Sequence, residues 1–111
     1  MSTNTFKVSL TPAADRDLDI IYRYVAERRS VGEADAVIDT LIERIRALAT
    51  FPERGSVPLE LDAVGRRVYR QIVSPPYRVV YRRIDTMVFV YLIADGRRDM
   101  QTLLRHRLLS S

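Results

Sequence analysis

Residues Pro75 to Asp99, PPYRVVYRRIDTMVFVYLIADGRRD, decide the fold of this chain. They predict two β-strands, Tyr77 to Ile84 and Met87 to Ala94, joined by the short turn Asp85-Thr86. The second strand is apolar at every position, so alternation gives it two apolar faces, which is typical of a strand in the middle of a sheet. A glycine and two arginines follow it, so this stretch supplies both a sheet core and a charged rim.

The residues at the start of the chain predict a strand and a helix. Phe6 to Leu10 alternates apolar and polar side chains, as a strand does. Thr11 suits the N-cap of a helix and Pro12 suits its first position, and the helix should end near Arg28–Arg29. Its apolar side chains recur at helical spacing: Ala14, Leu18, Ile21, Tyr22 and Val25.

A second helix follows almost directly. Ser30 and Glu33 have the spacing of a capping box. The apolar stripe of this helix consists of Ala34, Val37, Ile38, Leu41, Ile45, Leu48 and Ala49. Because so few residues separate the two helices, they should form an antiparallel hairpin, whose apolar face needs the downstream sheet as a partner.

The remaining segments complete the predicted fold. Phe51 to Gly65 is punctuated by proline and glycine and predicts an irregular surface connection. Arg66 to Val73 predicts a strand, and Asp99 can cap a short last helix, Met100 to Leu109. We therefore expect one α+β domain over residues 1–111: an N-terminal strand, a helix hairpin packed on a mainly antiparallel sheet with three further strands, and a short C-terminal helix.

Composition excludes several kinds of site. The 111 residues include no cysteine and one histidine, His106, so we expect no disulfide, no thiolate nucleophile, no metal site and no cofactor. There is no phosphate-binding glycine motif and no nucleophile elbow. The N-terminus does not have the pattern of a secretory signal, and no apolar run is long enough to span a bilayer, so a cytoplasmic setting is expected.

Positive charge is concentrated in the second half of the chain. Residues 1–62 hold eight basic and eleven acidic residues, whereas residues 63–111 hold ten arginines and three aspartates. Arginine offers a planar fork of donors that suits carboxylate and phosphate, although an arginine-rich genome would produce the same bias. The candidate contact residues are Tyr24, Arg70, Arg78, Arg82, Arg97 and Arg98.

Two of these residues, Arg78 and Tyr24, have alternative interpretations. Arg78 shares a strand face with Val80 and should be half-buried, either as an anchor for an anionic partner or in an internal salt bridge to a carboxylate, for example one on the helix hairpin. Arg97 and Arg98 follow the buried strand directly, so the sheet determines where both side chains leave it. Tyr24 lies two residues from Tyr22, so the two side chains cannot share a helix face, and Tyr24 is either a partner contact or simply solvent-exposed.

The order of these elements, together with FPERG (51–55), PPYRVVYR (75–82) and GRRD (96–99), resembles the RelE/ParE superfamily of type II toxins from Phe6 to Leu109. This resemblance implies a toxin that is neutralised by a cognate ParD-like antitoxin in a hetero-oligomeric complex. Members of the superfamily have two activities. RelE-like toxins cut mRNA on the ribosome, and ParE-like toxins poison DNA gyrase.

The sequence departs from the ribonuclease pattern. Arg78 and Arg98 fall where the ribonucleases carry arginines that contact the scissile phosphate, but no tyrosine follows Tyr91, and Leu104 lies roughly where the ribonucleases place one. Arginine is a poor proton carrier because its pKa is above about 12. We therefore expect a gyrase poison of the ParE-like branch with no catalytic residues. The alternatives are an mRNA endonuclease that uses Arg78 and Arg98, or a degenerate toxin that only binds antitoxin.

Overall fold

A computed structural model describes residues 5–109 of the chain. The elements are β1 (Lys7–Leu10), α1 (Pro12–Arg28), α2 (Val31–Arg46), α3 (Leu59–Asp62), β2 (Arg70–Ser74), β3 (Tyr77–Ile84), β4 (Met87–Asp95) and α4 (Met100–Leu104). A 3₁₀ turn (Ala47–Ala49) extends α2, and a π-helical turn (Arg105–Leu109) follows α4. The strands form one sheet in the order β1-β4-β3-β2, in which β1 and β4 are parallel and the other pairs antiparallel. The predicted α+β fold is confirmed, including a central position for β4.

The helix hairpin begins and turns at the predicted caps. The Thr11 hydroxyl accepts a hydrogen bond from the N–H of Ala14 at 3.1 Å, and the Ser30 hydroxyl accepts one from the N–H of Glu33 at 3.0 Å. The hairpin packs its apolar stripes on one face of the sheet. The buried residues of this core are Ala14, Leu18, Ile21, Val25, Ala34, Leu41, Ile45, Leu48, Val79, Tyr81, Val88, Val90 and Ile93.

A second, smaller core lies on the opposite face of the sheet. It is covered by α3 and by α4, which is capped at the predicted residue, since the N–H of Thr102 donates to the Asp99 carboxylate at 3.1 Å. Its buried members are Leu61, Tyr69, Val80, Leu92, Ala94, Met100 and Leu104. Burial on both faces explains the continuous apolar sequence of β4.

A β-bulge in β4 changes which face its side chains occupy. Val80 pairs with Leu92 and Tyr81 pairs with Val90, so Tyr91 is an extra residue on β4. The simple alternation predicted for this strand is therefore wrong beyond Val90. The residues that face the helix hairpin are Val88, Val90 and Ile93, and those that face the second core include Leu92 and Ala94.

Two further boundaries differ from the prediction. β2 begins at Arg70 rather than Arg66, because the preceding residues close α3 instead. Gly65 has a φ of +76°, and the N–H of Arg66 donates to the Leu61 carbonyl at 2.8 Å. The α3 turn itself lies inside the stretch predicted to be irregular. The C-terminal α-helix ends at Leu104, and the residues after it form the π-helical turn.

Within residues 5–109, no helix is both long and apolar enough to cross a membrane.

Candidate functional site

One depression of the described surface, here called the Tyr24 groove, runs between α1 and the C-terminal end of β4. It consists of two adjoining cavities of about 880 and 360 Å³, which share Tyr24, Tyr77 and Asp95 as a common wall. The larger cavity extends toward the hairpin turn and the β2–β3 turn. The smaller one lies against Ile93 and reaches Arg98.

The smaller cavity has an apolar floor and an exposed apolar rim. Ile21 and Ile93 are buried beneath it, whereas Ile20 and Tyr24 are 60% and 56% exposed at its edge. The guanidinium carbon of Arg28 lies 4.9 Å from the centre of the Tyr24 ring, in cation–π geometry. Large apolar side chains this exposed, beside a cavity, are typical of a protein-binding surface.

Arg97 and Arg98 reach the groove from the end of β4, but their charges are used differently. Arg97 donates to both oxygens of Asp95, at 2.9 and 2.5 Å, and these bonds hold the pKa of the Asp95 carboxyl below its ordinary value. Burial, and then the Asp95 carboxylate, raise the pKa of the Tyr77 hydroxyl. The Arg98 side chain is exposed and makes no hydrogen bond or ion pair with any other residue in 5–109. Arg98 therefore lies at the groove with no ion pair to a carboxylate of residues 5–109, although its charge also helps to lower the pKa of Asp95.

The structure pairs Arg78 internally. Its Nη1 and Nη2 donate to Glu60 Oε2 and Oε1 at 2.9 and 2.8 Å, and its Nε donates to Gln71 Oε1 at 2.6 Å. The side chain is only 14% exposed, and the hydrogen bonds from Arg78 are the main cause that holds the pKa of Glu60 below its ordinary value. Of the two interpretations offered by the sequence, the structure has the internal salt bridge, and its carboxylate comes from α3, not from the helix hairpin.

Arg70 and Arg82 also lie away from the groove. Arg70 pairs with Glu53, Nε to Oε1 at 3.0 Å, and donates to the Gly55 carbonyl at 2.7 Å. The Arg82 guanidinium lies 5.9 Å from the centre of the Tyr69 ring. Of the six predicted contact residues, the structure therefore brings together Tyr24, Arg97 and Arg98, and it separates Arg70, Arg78 and Arg82 from them.

Sequence reasoning missed a polar cluster at the β4 bulge. Asp17 Oδ2 accepts from the N–H of Ile93 at 3.0 Å and from Arg107 Nη1 at 2.8 Å, and Asp17 Oδ1 accepts from Arg107 Nη2 at 3.1 Å. Arg107 Nη1 also donates to the Tyr91 carbonyl at 2.7 Å. The cluster thus satisfies backbone groups on the bulged strand. The sequence did contain a signal for this cluster. Asp17 lies three residues after Ala14, and this spacing places an acidic side chain on the buried face of α1.

No group of three or more histidine, aspartate or glutamate side chains within residues 5–109 is arranged to hold a metal ion.

One family model matches most of the chain, and solved structures share its fold. The family model described as the ParE toxin of the type II toxin–antitoxin system parDE matches residues 8–100. A chain of the chromosomal ParDE toxin–antitoxin system of P. aeruginosa superposes with a TM-score of 0.71 at 18% identity, over 84% of this chain and 98% of that chain. A chain of the RelBE2 toxin–antitoxin complex of Mycobacterium tuberculosis gives 0.62 at 20% identity, over 85% and 94%. No curated protein has significant sequence similarity. On the match over residues 8–100, the chain belongs to the ParE toxin family of type II toxin–antitoxin systems.

Proposed function

We propose that this protein is a toxin that poisons DNA gyrase and thereby blocks replication, and that a cognate ParD-like antitoxin neutralises it in a cytoplasmic hetero-oligomer. The observation that carries the proposal is the family match over residues 8–100. The two structural neighbours are themselves parts of toxin–antitoxin systems, which supports an antitoxin partner here.

The internal pairing of Arg78 favours gyrase binding over RNA cleavage. A ribonuclease of the related type would use Arg78 and Arg98 on one phosphate. The Arg78 guanidinium already donates to two carboxylate oxygens and one amide oxygen. The sequence also offers few proton carriers, with one histidine, His106, and no tyrosine after Tyr91. A toxin that acts by binding needs neither feature.

Charge supports an acidic partner segment. Six of the ten arginines after residue 62 are already in internal ion pairs: Arg67, Arg70, Arg78, Arg83, Arg97 and Arg107. The other four form no ion pair within residues 5–109, and of these Arg98 lines the groove. Arg28 on α1 adds a second cation to the groove. An acidic antitoxin segment over this surface should bind less tightly as salt rises, and a salt-insensitive complex would contradict that charge complementarity.

The test of the proposed target uses toxin that has been freed of antitoxin. With gyrase and ATP it should inhibit supercoiling and accumulate cleaved DNA, and added antitoxin should reverse both effects. Full gyrase activity at saturating toxin would refute the proposal.

Primer extension on translated mRNA tests the ribonuclease alternative, which predicts codon-phased cuts that Arg98→Ala abolishes. Normal colony counts after induction without the antitoxin gene would instead identify a degenerate toxin.

A further inference from the structure

Three apolar residues of the sheet belong to neither core. The other apolar residues of β3 and β4 pack against the helix hairpin or in the second core, but Ile84, Met87 and Phe89 do not. Ile84 is 38% exposed, and Met87 and Phe89 are partly exposed. The three residues lie near the β3–β4 turn, at the opposite end of β4 from the Tyr24 groove.

Strand pairing places these three side chains on one face of the sheet. Phe89 pairs with Arg82 and Met87 pairs with Ile84, and directly paired residues lie on the same side of a sheet. Val88, between Met87 and Phe89, is buried in the core under the helix hairpin. Because side chains alternate along a strand, Met87 and Phe89 point to the opposite face, together with their partners on β3.

β1 adds two polar residues to this face. Lys7 pairs with Met87 and Ser9 pairs with Phe89, whereas Val8 packs against the hairpin core. The surface near the turn is here called the open sheet face. Its residues are Lys7, Ser9, Arg82, Ile84, Met87 and Phe89.

The second core covers only part of this side of the sheet. α3 and α4 bury Val80, Leu92 and Ala94, which lie farther from the β3–β4 turn. Among the described residues, the apolar side chains of the open sheet face pack on none of the buried members of either core. An apolar sheet surface is normally covered by a further layer of structure, so this face offers a place for a partner.

The charges on the open sheet face are positive. Lys7 is exposed, and the Arg82 guanidinium lies 5.9 Å from the centre of the Tyr69 ring. Neither residue forms an ion pair with a carboxylate of residues 5–109. None of the six residues is acidic, and Asp85 lies in the adjoining turn. The face therefore complements a partner surface that is apolar and acidic.

The position of the face within the sheet limits the kind of partner. β1, β4 and β3 are hydrogen-bonded to one another, so a partner on the face of these strands contacts side chains and not open backbone. Helices cover the sheet in this way elsewhere in the fold. A second copy of the chain would bring Lys7 and Arg82 against the same cations without a carboxylate, so charge disfavours a face-to-face dimer.

We infer that the open sheet face docks the protein target of the toxin, as an amphipathic helix that covers the three apolar residues and places carboxylates on Lys7 and Arg82. The Tyr24 groove, proposed for the antitoxin, lies on the hairpin side of the sheet, so the two surfaces are separate. The inference rests on the proposed function and adds the contact surface and the chemistry of the target segment.

Charge reversal on free toxin tests the surface. The double variant Lys7→Glu, Arg82→Glu should need about tenfold more toxin, or more, for half-inhibition of gyrase supercoiling at low salt. Its Kd for the antitoxin and its unfolding by circular dichroism should stay near wild type. The matched control, Arg23→Glu, Arg46→Glu, reverses two exposed helix arginines that lie outside the open sheet face, and it should inhibit like wild type.

The outcomes separate this inference from the proposed target. Wild-type toxin that leaves gyrase fully active overturns both. Inhibition by wild type and by the Lys7→Glu, Arg82→Glu variant at equal concentrations overturns this inference alone. A large loss of antitoxin affinity in that variant would assign the face to the antitoxin and would also overturn it.

Photo-crosslinking identifies what lies on the face. The variant Ile84→p-benzoylphenylalanine should crosslink to a gyrase subunit, because Ile84 is exposed and joins neither core. The crosslinked peptide should carry apolar and acidic residues at helical spacing. The variant Arg23→p-benzoylphenylalanine should not give this crosslink. Crosslinking from position 84 to DNA or to a second toxin chain would contradict a target helix on this face.

Discussion

Replacing Arg107 by methionine should destabilise the whole fold, although Arg107 lies near the C-terminus. The substitution keeps much of the aliphatic stem and removes the three donor contacts to Asp17 and Tyr91. Within residues 5–109, Asp17 would then keep only the Ile93 N–H as a hydrogen-bond partner, and the Tyr91 carbonyl at the bulge would lose the Arg107 donor. The substitution thus tests whether the bulge depends on a residue that follows it by 16 positions.

The size of the effect follows from burial. Removing one member of a buried ion pair costs about 3–5 kcal/mol, because the other charge is left unpaired. The Arg107 side chain is 26% exposed and that of Asp17 is 11% exposed, so solvent screens part of the interaction and we expect a loss of about 2–3 kcal/mol. For a chain of this size such a loss lowers Tm by roughly 10–15 °C.

The assay is urea and thermal unfolding followed by circular dichroism. Arg105→Met is the matched control, since Arg105 is exposed in the same turn and forms no ion pair within residues 5–109, and it should change the free energy of unfolding by less than about 0.5 kcal/mol. A double-mutant cycle with Asp17→Asn should show a coupling of about 1–2 kcal/mol. If Arg107→Met is as stable as Arg105→Met, the bulge does not depend on this contact and the reasoning is refuted.

Two further predictions concern the loop and α3. A Cβ on Gly55 would lie 2.3 Å from the Gln71 carbonyl oxygen, so Gly55→Ala should lower the free energy of unfolding in urea by about 1–3 kcal/mol. Gly32→Ala, with no neighbour nearer than 4.0 Å, should lower it little or not at all, and equal effects would contradict the predicted clash. Because hydrogen bonds from Arg78 lower the pKa of Glu60 in the folded state, this carboxylate stabilises the fold fully above its ordinary pKa of 4.5. That contribution is lost as pH falls through the lowered pKa. The stability lost in Glu60→Gln should therefore shrink as pH falls below 4.5 in urea titrations, and a constant difference down to pH 2 would exclude this linkage.

The sequence predicted most of the fold because its signals are local. Thr11 and Ser30 cap the two helices through side-chain contacts three residues away, and such contacts can be recognised from spacing alone. Apolar periodicity then places each helix face. The central position of β4 also followed from a local property, its unbroken run of apolar residues.

The bulge at Tyr91 could not be predicted in this way. A bulge reverses the side-chain alternation of β4 without changing which residues the strand contains, so the apolar run looks the same with or without it. What stabilises it lies at positions 17 and 107, and no local pattern connects these residues. The start of β2 was missed for a related reason, since Arg66 closes α3 through its backbone and not through its side chain.

The candidate site changed more than the fold because charge in a sequence does not reveal which charges are paired. Arg78 and Arg98 have similar apparent roles in the sequence, yet one donates to Glu60 and Gln71 while the other makes no polar side-chain contact within residues 5–109. Burial makes the difference, because a guanidinium that is only 14% exposed, as that of Arg78 is, needs a carboxylate from its own chain to offset desolvation. A partner that approaches after folding can pair only with the cations that remain. On this reasoning the specificity of a toxin of this kind depends less on its net positive charge than on the few arginines its own carboxylates leave unpaired.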